Sequence, residues 1–231
     1  MKPMPRIAVI LDENTSVDGT RYDTPKDYFL AVRNAGGLPF GIPYLPEIIE
    51  IVAKEFDGFL AVGGRFSYPE NWYVDGDASR FPASERLEIE QAIMLRYLDM
   101  DKPVLGICAG MQMLACLNGC LLSSSIRETS TDILEHDRRG SLHPVSIIAG
   151  SKLAHIIGET VLDVNSRHRE AVVHVDPSVI ASAHAPDRVV EAIEIPSKRF
   201  AIGLQWHQEG FAASDHAGNR IFRSFIDACR S

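Results

Sequence analysis

The stretch from Val104 to Gln112, VLGICAGMQ, restricts the possible folds more than any other part of this chain. Four apolar residues read as a strand buried on both faces, which needs helical cover on both sides. Helix formers follow at once, and Cys108 stands at the junction between Gly106 and Gly110. Gly-x-nucleophile-x-Gly is the form of a nucleophile elbow, where a strand turns abruptly into a helix. The glycines remove clashes that such a turn would create. The helix N-terminus then faces the sulfur and favours thiolate, and the Ala109 N–H is placed to help hold an oxyanion. A small core cysteine at a glycine-rich strand end would read the same way, so the functional reading depends on partners elsewhere.

The surrounding chain supplies a suitable scaffold. Arg6 to Leu11 reads as a buried strand. Thr24-Pro25 with Asp27 reads as a helix start, with Thr24 as cap. Tyr28, Ala31, Val32 and Ala35 share one face, and Gly36-Gly37 ends the helix. Strands follow at Leu38 to Ile42 and Gly58 to Val62, a helix at Ser84 to Leu98, and the elbow strand and helix after it. This alternation predicts a mainly parallel sheet covered on both faces. From Leu142 the apolar runs shorten and lie closer together. Val145 to Ile148, Val189 to Ile195 and Phe200 to Gln205 read as antiparallel additions to the same sheet, and Gly218 to Cys229 as a closing helix. No linker-like stretch, internal repeat or low-complexity segment divides the 231 residues, so residues 1–231 are expected to form a single domain.

Composition narrows the function. A formal net charge of -8 argues against a nucleic-acid surface, which is normally basic. Ile7 to Leu11 is too short for a signal-peptide core or membrane span, and a cytoplasmic protein without membrane association is expected. The four cysteines, Cys108, Cys116, Cys120 and Cys229, show no paired C-x-x-C spacing, so neither a disulfide scaffold nor a zinc cage is expected. A cysteine nucleophile needs a base, and the base an orienting group. GLQWHQEG, residues 203–210, offers both. His207 and Glu209 are two apart at a strand end, where extended geometry turns both to one side. The other seven histidines read as core, surface or loop residues.

The order cysteine, histidine, glutamate differs from that of an α/β-hydrolase, in which the acid precedes the histidine. It resembles the class I glutamine amidotransferase superfamily and, within it, the γ-glutamyl-γ-aminobutyrate hydrolase (Peptidase C26) family. DYFLAVRNAGGLP resembles the family's first helix, HPVSIIAGSKL its central β segment and VNSRHREAV its Asn-Ser-x-His stretch. APDRVVEAIE and GLQWHQE resemble its C-terminal signature, and Arg86 and Glu90 match an arginine and a glutamate on the helix before the elbow. The resemblance implies a flavodoxin-like three-layer α/β/α sandwich with a Cys108–His207–Glu209 triad. It places Gly63-Gly64 where the family supplies the second oxyanion donor, from Gly64. It assigns Gln112 and the Asn165, Ser166 and His168 stretch to the glutamyl pocket, the latter open also to being a polar turn. Arg86 and Glu90, spaced i,i+4, are placed to pair with each other.

Three positions depart from the family pattern: Ala109 where many members carry arginine, Arg65-Phe66-Ser67-Tyr68-Pro69 after Gly64, and Gln208 within the His-Pro-Glu signature. Phe66, Tyr68, Trp72 and Tyr73 could wall an amine pocket or pack the loop onto the core. The resemblance implies a hydrolase of γ-glutamyl amides acting through a thioester, with no cofactor and no metal. A small γ-glutamyl molecule is the expected partner, with self-association left open. A glutaminase that passes ammonia to a separate synthetase is the second reading, and a non-catalytic relative the third.

Overall fold

The computed structural model describes residues 3–13, 21–128, 132–138 and 140–230. The first half alternates strand and helix, with α2 added to the elements read from the sequence: β1 (Arg6–Ile10), α1 (Lys26–Asn34), β2 (Leu38–Ile42), α2 (Ile49–Glu55), β3 (Gly58–Ala61), α3 (Arg86–Asp99), β4 (Val104–Ile107) and α4 (Ala109–Cys116). The second half contributes β5 (Leu121–Ser123), β6 (Ser141–Ile147), α5 (Lys152–Ile157), β7 (Val161–Ser166), β8 (Ala171–His174), β9 (Ile180–His184), β10 (Val190–Glu194), β11 (Ala201–Leu204) and α6 (Arg220–Ala228).

One nine-stranded sheet runs in the order β2-β1-β3-β4-β11-β10-β9-β6-β7, and β5 and β8 pair apart from it. The strands from β2 through β11 are mutually parallel, and those beyond β11 pair antiparallel. Burial explains the division. β3, β4 and β11 are buried at every residue, as central strands covered by helices must be. β7 alternates buried and open positions, the pattern of a sheet end solvated on one face. Phe59 of β3 meets Tyr97 of α3 with ring centroids 5.4 Å apart, whereas a side chain at neighbouring Gly58 would run into Phe225 of α6. The two residues face opposite ways, so α3 and α6 cover opposite faces, completing the α/β/α sandwich.

Three expectations are corrected. Phe200 to Gln205 is not a purely antiparallel addition: β11 pairs antiparallel with β10 but parallel with β4, because its buried residues belong at the sheet centre. Thr24 does not cap α1. Its Oγ1 accepts from the Asp12 N–H at 2.5 Å, and Pro25 occupies the cap position without a side-chain bond. Helix α2 escaped notice because it buries only Val52 and Ala53, too narrow a stripe to read.

Small residues bring α4 down onto the sheet. A side chain at Gly106 would lie 2.6 Å from the Gly110 backbone, and one at Gly203 would lie 2.6 Å from Met111 Cγ. A methyl on Gly110 would overlap the Ala61 carbonyl. That close approach aims the N-terminus of α4 at the ends of β3, β4 and β11. Gly110→Ala is therefore expected to cost at least about 2 kcal/mol of stability by overpacking, measured as a loss in urea unfolding.

Candidate functional site

Cys108 takes φ 51° and ψ -105° between β4 and α4. A left-handed φ at a residue with a side chain is strained, and it persists only where neighbours over-determine it. Here the Cys108 N–H donates to Leu204 O at 2.7 Å, and its carbonyl accepts from Gln112 N at 3.0 Å. One bond anchors the elbow to β11 and the other starts α4. The first N–H groups of α4, Ala109 among them, have no acceptor within the helix, and they border the sulfur.

The imidazole of His207 reaches the sulfur from the neighbouring strand end. Its Nδ1 lies 2.7 Å from Glu209 Oε1, which leaves Nε2 free to serve Cys108. Burial opposes a charge on His207, yet the Glu209 carboxylate and Cys108 thiolate hold its pKa well above the ordinary imidazole range. The geometry behind the His207–Glu209 pair differs from the expected strand alternation. β11 ends at Leu204, and residues 208–211 form a 3-10 turn that folds Glu209 back onto the ring. Asn165 fixes this turn: its Oδ1 accepts from His207 N and its Nδ2 donates to His207 O, both at 2.8 Å.

Gly63 closes the site's other side. A side chain there would meet His207 Cε1 at 2.8 Å, the Tyr28 hydroxyl at 2.9 Å and Cys108 Cβ at 3.5 Å. Its N–H donates to Tyr28 Oη at 3.0 Å, and that hydroxyl lies 3.4 Å from His207 Nδ1. The fully buried Arg86 holds the loop from behind. It donates to Val62 O at 2.6 Å and Gly63 O at 2.8 Å, and pairs with Glu90 at 2.7 Å and Asp12 at 2.8 Å. The Gly63–Gly64 peptide is trans, so with its carbonyl on Arg86 the Gly64 N–H turns away from the guanidinium, as an oxyanion donor on this loop must. Sequence reading placed Tyr28 on a core face and missed its hydroxyl. A one-helix view shows the spacing of Arg86 and Glu90 but not the loop they hold.

The remaining pocket residues are held by protein partners. Gln112 Nε2 donates to Glu170 O at 2.8 Å and to Gln205 Oε1 at 3.1 Å, so its amide ties α4 to a neighbouring segment. Ser166 donates to His136 O at 3.0 Å, and His168 lies 3.4 Å from Glu191. Phe66, Tyr68, Trp72 and Tyr73 are buried. Tyr68 stacks on Trp72 at 5.5 Å and donates to Ala109 O at 2.8 Å, so the aromatics pack the loop onto the core. Glu170 is buried and accepts from Tyr73 and Ser79, both at 2.7 Å. Burial pushes its pKa up to about 7 against those bonds and the opposing charge of Arg169, with Asp77 adding to the rise.

Comparison with known proteins identifies the family and the fold. The chain belongs to the Peptidase C26 family, whose profile matches residues 7–209, and is a hydrolase acting on C–N amide bonds. It is 28% identical over 240 residues to a γ-glutamyl-γ-aminobutyrate hydrolase of Escherichia coli O157:H7, covering 98% of this chain and 94% of that one. It is 31% identical to a putative glutamine amidotransferase of Mycobacterium tuberculosis, over 88% of this chain and 67% of the relative. Among solved structures, a putative GMP synthase component from Thermoplasma acidophilum matches with TM-score 0.69 at 18% identity, over 99% and 96% of the two chains. The glutaminase domain of Trypanosoma brucei CTP synthase matches with TM-score 0.65 at 19% identity, over 98% and 94%. At those identities the structural likenesses establish the fold. No helix among the described residues is long and apolar enough to cross a membrane.

Two outcomes are expected from the site. Burial raises the thiol pKa values of Cys116 and Cys120 and pushes that of Cys229 up to about 12, and none of these stands at an elbow. Brief iodoacetamide treatment of the native protein, mapped by mass spectrometry, is expected to label Cys108 first. Glu170 binds its proton more tightly folded than unfolded, so its contribution is complete below the unfolded carboxylate pKa and is lost as pH rises towards 7. Glu170→Gln is therefore expected to flatten the fall in stability between about pH 4.5 and 7, read by urea unfolding across that range.

Proposed function

We propose that this Peptidase C26 hydrolase cleaves γ-glutamyl amides through a thioester on Cys108, releasing an amine and then glutamate. The observation that carries the reading is the convergence of the Glu209–His207 pair, hydrogen-bonded at 2.7 Å, with a cysteine held on a strained elbow at a helix N-terminus. The thiolate attacks the γ-carbonyl carbon, and the N–H groups of Ala109 and Gly64 receive the charge that develops on oxygen. As the tetrahedral intermediate collapses, the C–N bond breaks and the His207 imidazolium gives its proton to the departing amine. The imidazole, now neutral, takes a proton from water. The hydroxide attacks the thioester, the C–S bond breaks, and glutamate leaves while thiolate and imidazolium are restored. Glu209 keeps the Nδ1 tautomer throughout.

The E. coli relative's name supports a γ-glutamyl substrate. The departures at Ala109 and from Arg65 to Tyr68 fall on the side assigned to the amine, so we place the amine preference away from γ-aminobutyrate. Glutamate release from a panel of γ-glutamyl amides, with α-blocked versions alongside, tests the reading. Cys108→Ala is expected to abolish release, and Glu209→Gln to lower kcat roughly 10²- to 10⁴-fold. Blocking the α-amino or α-carboxyl group should cost roughly 10⁴-fold, as expected of a site built to hydrogen-bond those charged groups of the substrate. Equal turnover of blocked and free compounds would overturn the glutamyl assignment. A sharp optimum for γ-aminobutyrate would overturn the shift in amine.

A further inference from the structure

A second group of reactive side chains lies outside the Cys108 site. His136 from the 132–138 loop, His143 of β6 and Glu191 of β10 are all buried, and their ligand atoms lie within 4.8 Å of one another. Glu191 Oε1 lies 3.3 Å from His136 Nδ1, 3.6 Å from His143 Nε2 and 3.4 Å from His168 Nε2. The hydrogen bonds on the far side of each ring decide what those nitrogens offer. His143 Nδ1 faces Pro144 O at 3.2 Å, His168 Nδ1 faces Glu170 O at 3.1 Å, and His136 Nε2 faces Asp187 Oδ2 at 2.9 Å. Each of those partners can only accept, so each ring carries an N–H there. His136, flanked by Asp187 and Glu191 and with Nδ1 also 3.2 Å from Ser166 Oγ, can donate from Nδ1 too, whereas His143 and His168, when neutral, turn lone pairs to the carboxylate.

Lone pairs facing a buried carboxylate repel unless something positive lies among them. A proton on His136 would place one positive charge beside Glu191 Oε1, but it would not satisfy Glu191 Oε2 or His143 Nε2. That oxygen and His143 Nε2 find no hydrogen-bond partner among the described residues. A dication satisfies both. Tetrahedral zinc at about 2.1 Å places its ligands roughly 3.4 Å apart, close to the spacings around Glu191 Oε1. Histidine ligands of metals characteristically donate their other N–H to a carboxylate or backbone carbonyl, as His136 does to Asp187 and His143 to Pro144. Two imidazoles and one carboxylate form an N/O donor set suited to zinc. A cavity of about 470 Å³, lined in part by His136 and His168 but not by Cys108 or His207, lies beside the group.

We propose that His136, His143 and Glu191 form a zinc-binding site, separate from Cys108 and positioned by Asp187 and the Pro144 carbonyl. This departs from the expectation of no metal, because residues 136, 143 and 191 come from three separate segments with no ligand spacing in the sequence.

The test uses the full chain with Cys108→Ala, so that zinc on the catalytic sulfur cannot imitate the site. After chelator treatment and dialysis, titration with Zn²⁺ is expected to give one tight equivalent per chain by calorimetry and elemental analysis. Tm should rise by about 5–10 °C when zinc exceeds Kd 100-fold. Cobalt loaded in its place should show no sulfur-to-metal absorption band. His143→Gln in the same background should weaken zinc binding at least about 100-fold, and Asp187→Asn, which keeps every ligand, about 10- to 100-fold. The Asp187 variant carries the test if the His143 variant fails to fold. Absence of a stoichiometric equivalent in the Cys108→Ala protein, or zinc affinity unchanged by Asp187→Asn and His143→Gln, would overturn the site.

Discussion

The site depends first on the parallel pairing of β4 with β11. Ile107 lies opposite Leu204, and the chain continues from these two residues into Cys108 on one strand and towards His207 on the other. Parallel strands end on the same side of a sheet, so two segments about a hundred residues apart in sequence deliver sulfur and imidazole to one edge. The bond from Cys108 N to Leu204 O, at 2.7 Å, locks the register at the point where the elbow turns. A slip of one residue would exchange the faces of every side chain on β11 and carry His207 away from the thiol. An antiparallel β11 at the sheet's edge could not have built this arrangement.

Arg86 adds the second constraint. A buried guanidinium is tolerable only when its donors are filled, and here two carboxylates and two backbone carbonyls fill them. Burial pushes the Asp12 and Glu90 carboxyls upward against the pull of Arg86, while their negative charge outweighs burial and raises Arg86. Removing one partner from such a buried pair typically costs about 3–5 kcal/mol. The cost to function would arise in the Gly63-Gly64 loop, whose peptide planes are oriented from behind by the same guanidinium. Arg86 is therefore a positioning residue, supporting a backbone donor that it never meets face to face.

The alternating first half was legible because its central parallel strands are buried on both faces and α1 and α3 each show an apolar stripe. The expected helix Ser84–Leu98 is Arg86–Asp99, and Leu38–Ile42 is matched end for end. The elbow was legible for a related reason: glycines at 106 and 110 report how close α4 must come to the sheet. β11 was assigned only half of its pairing, because four apolar residues specify burial and not direction. The Asn165, Ser166 and His168 stretch was recognisable as a motif, but its side chains do different work. Asn165 braces His207, Ser166 braces His136, and His168 faces Glu191. Polar residues in a short motif say that hydrogen bonds will form, and only the fold decides with which partners.

The histidines show why that decision lies beyond a linear reading. His207 and His143 have the same intrinsic chemistry, a ring with one nitrogen that donates and one that accepts when neutral. At His207 a carboxylate takes the Nδ1 hydrogen, and Nε2 is left for a thiol, the arrangement that the proposed mechanism uses as acid and nucleophile. At His143 a backbone carbonyl takes the Nδ1 hydrogen, and Nε2 meets a carboxylate with no proton to give. The first arrangement can pass a proton; the second, in the site proposed above, takes a cation. Both follow from which acceptor holds the far side of the ring, and in this chain those acceptors are set by the 3-10 turn after Trp206 and by the backbone of β6.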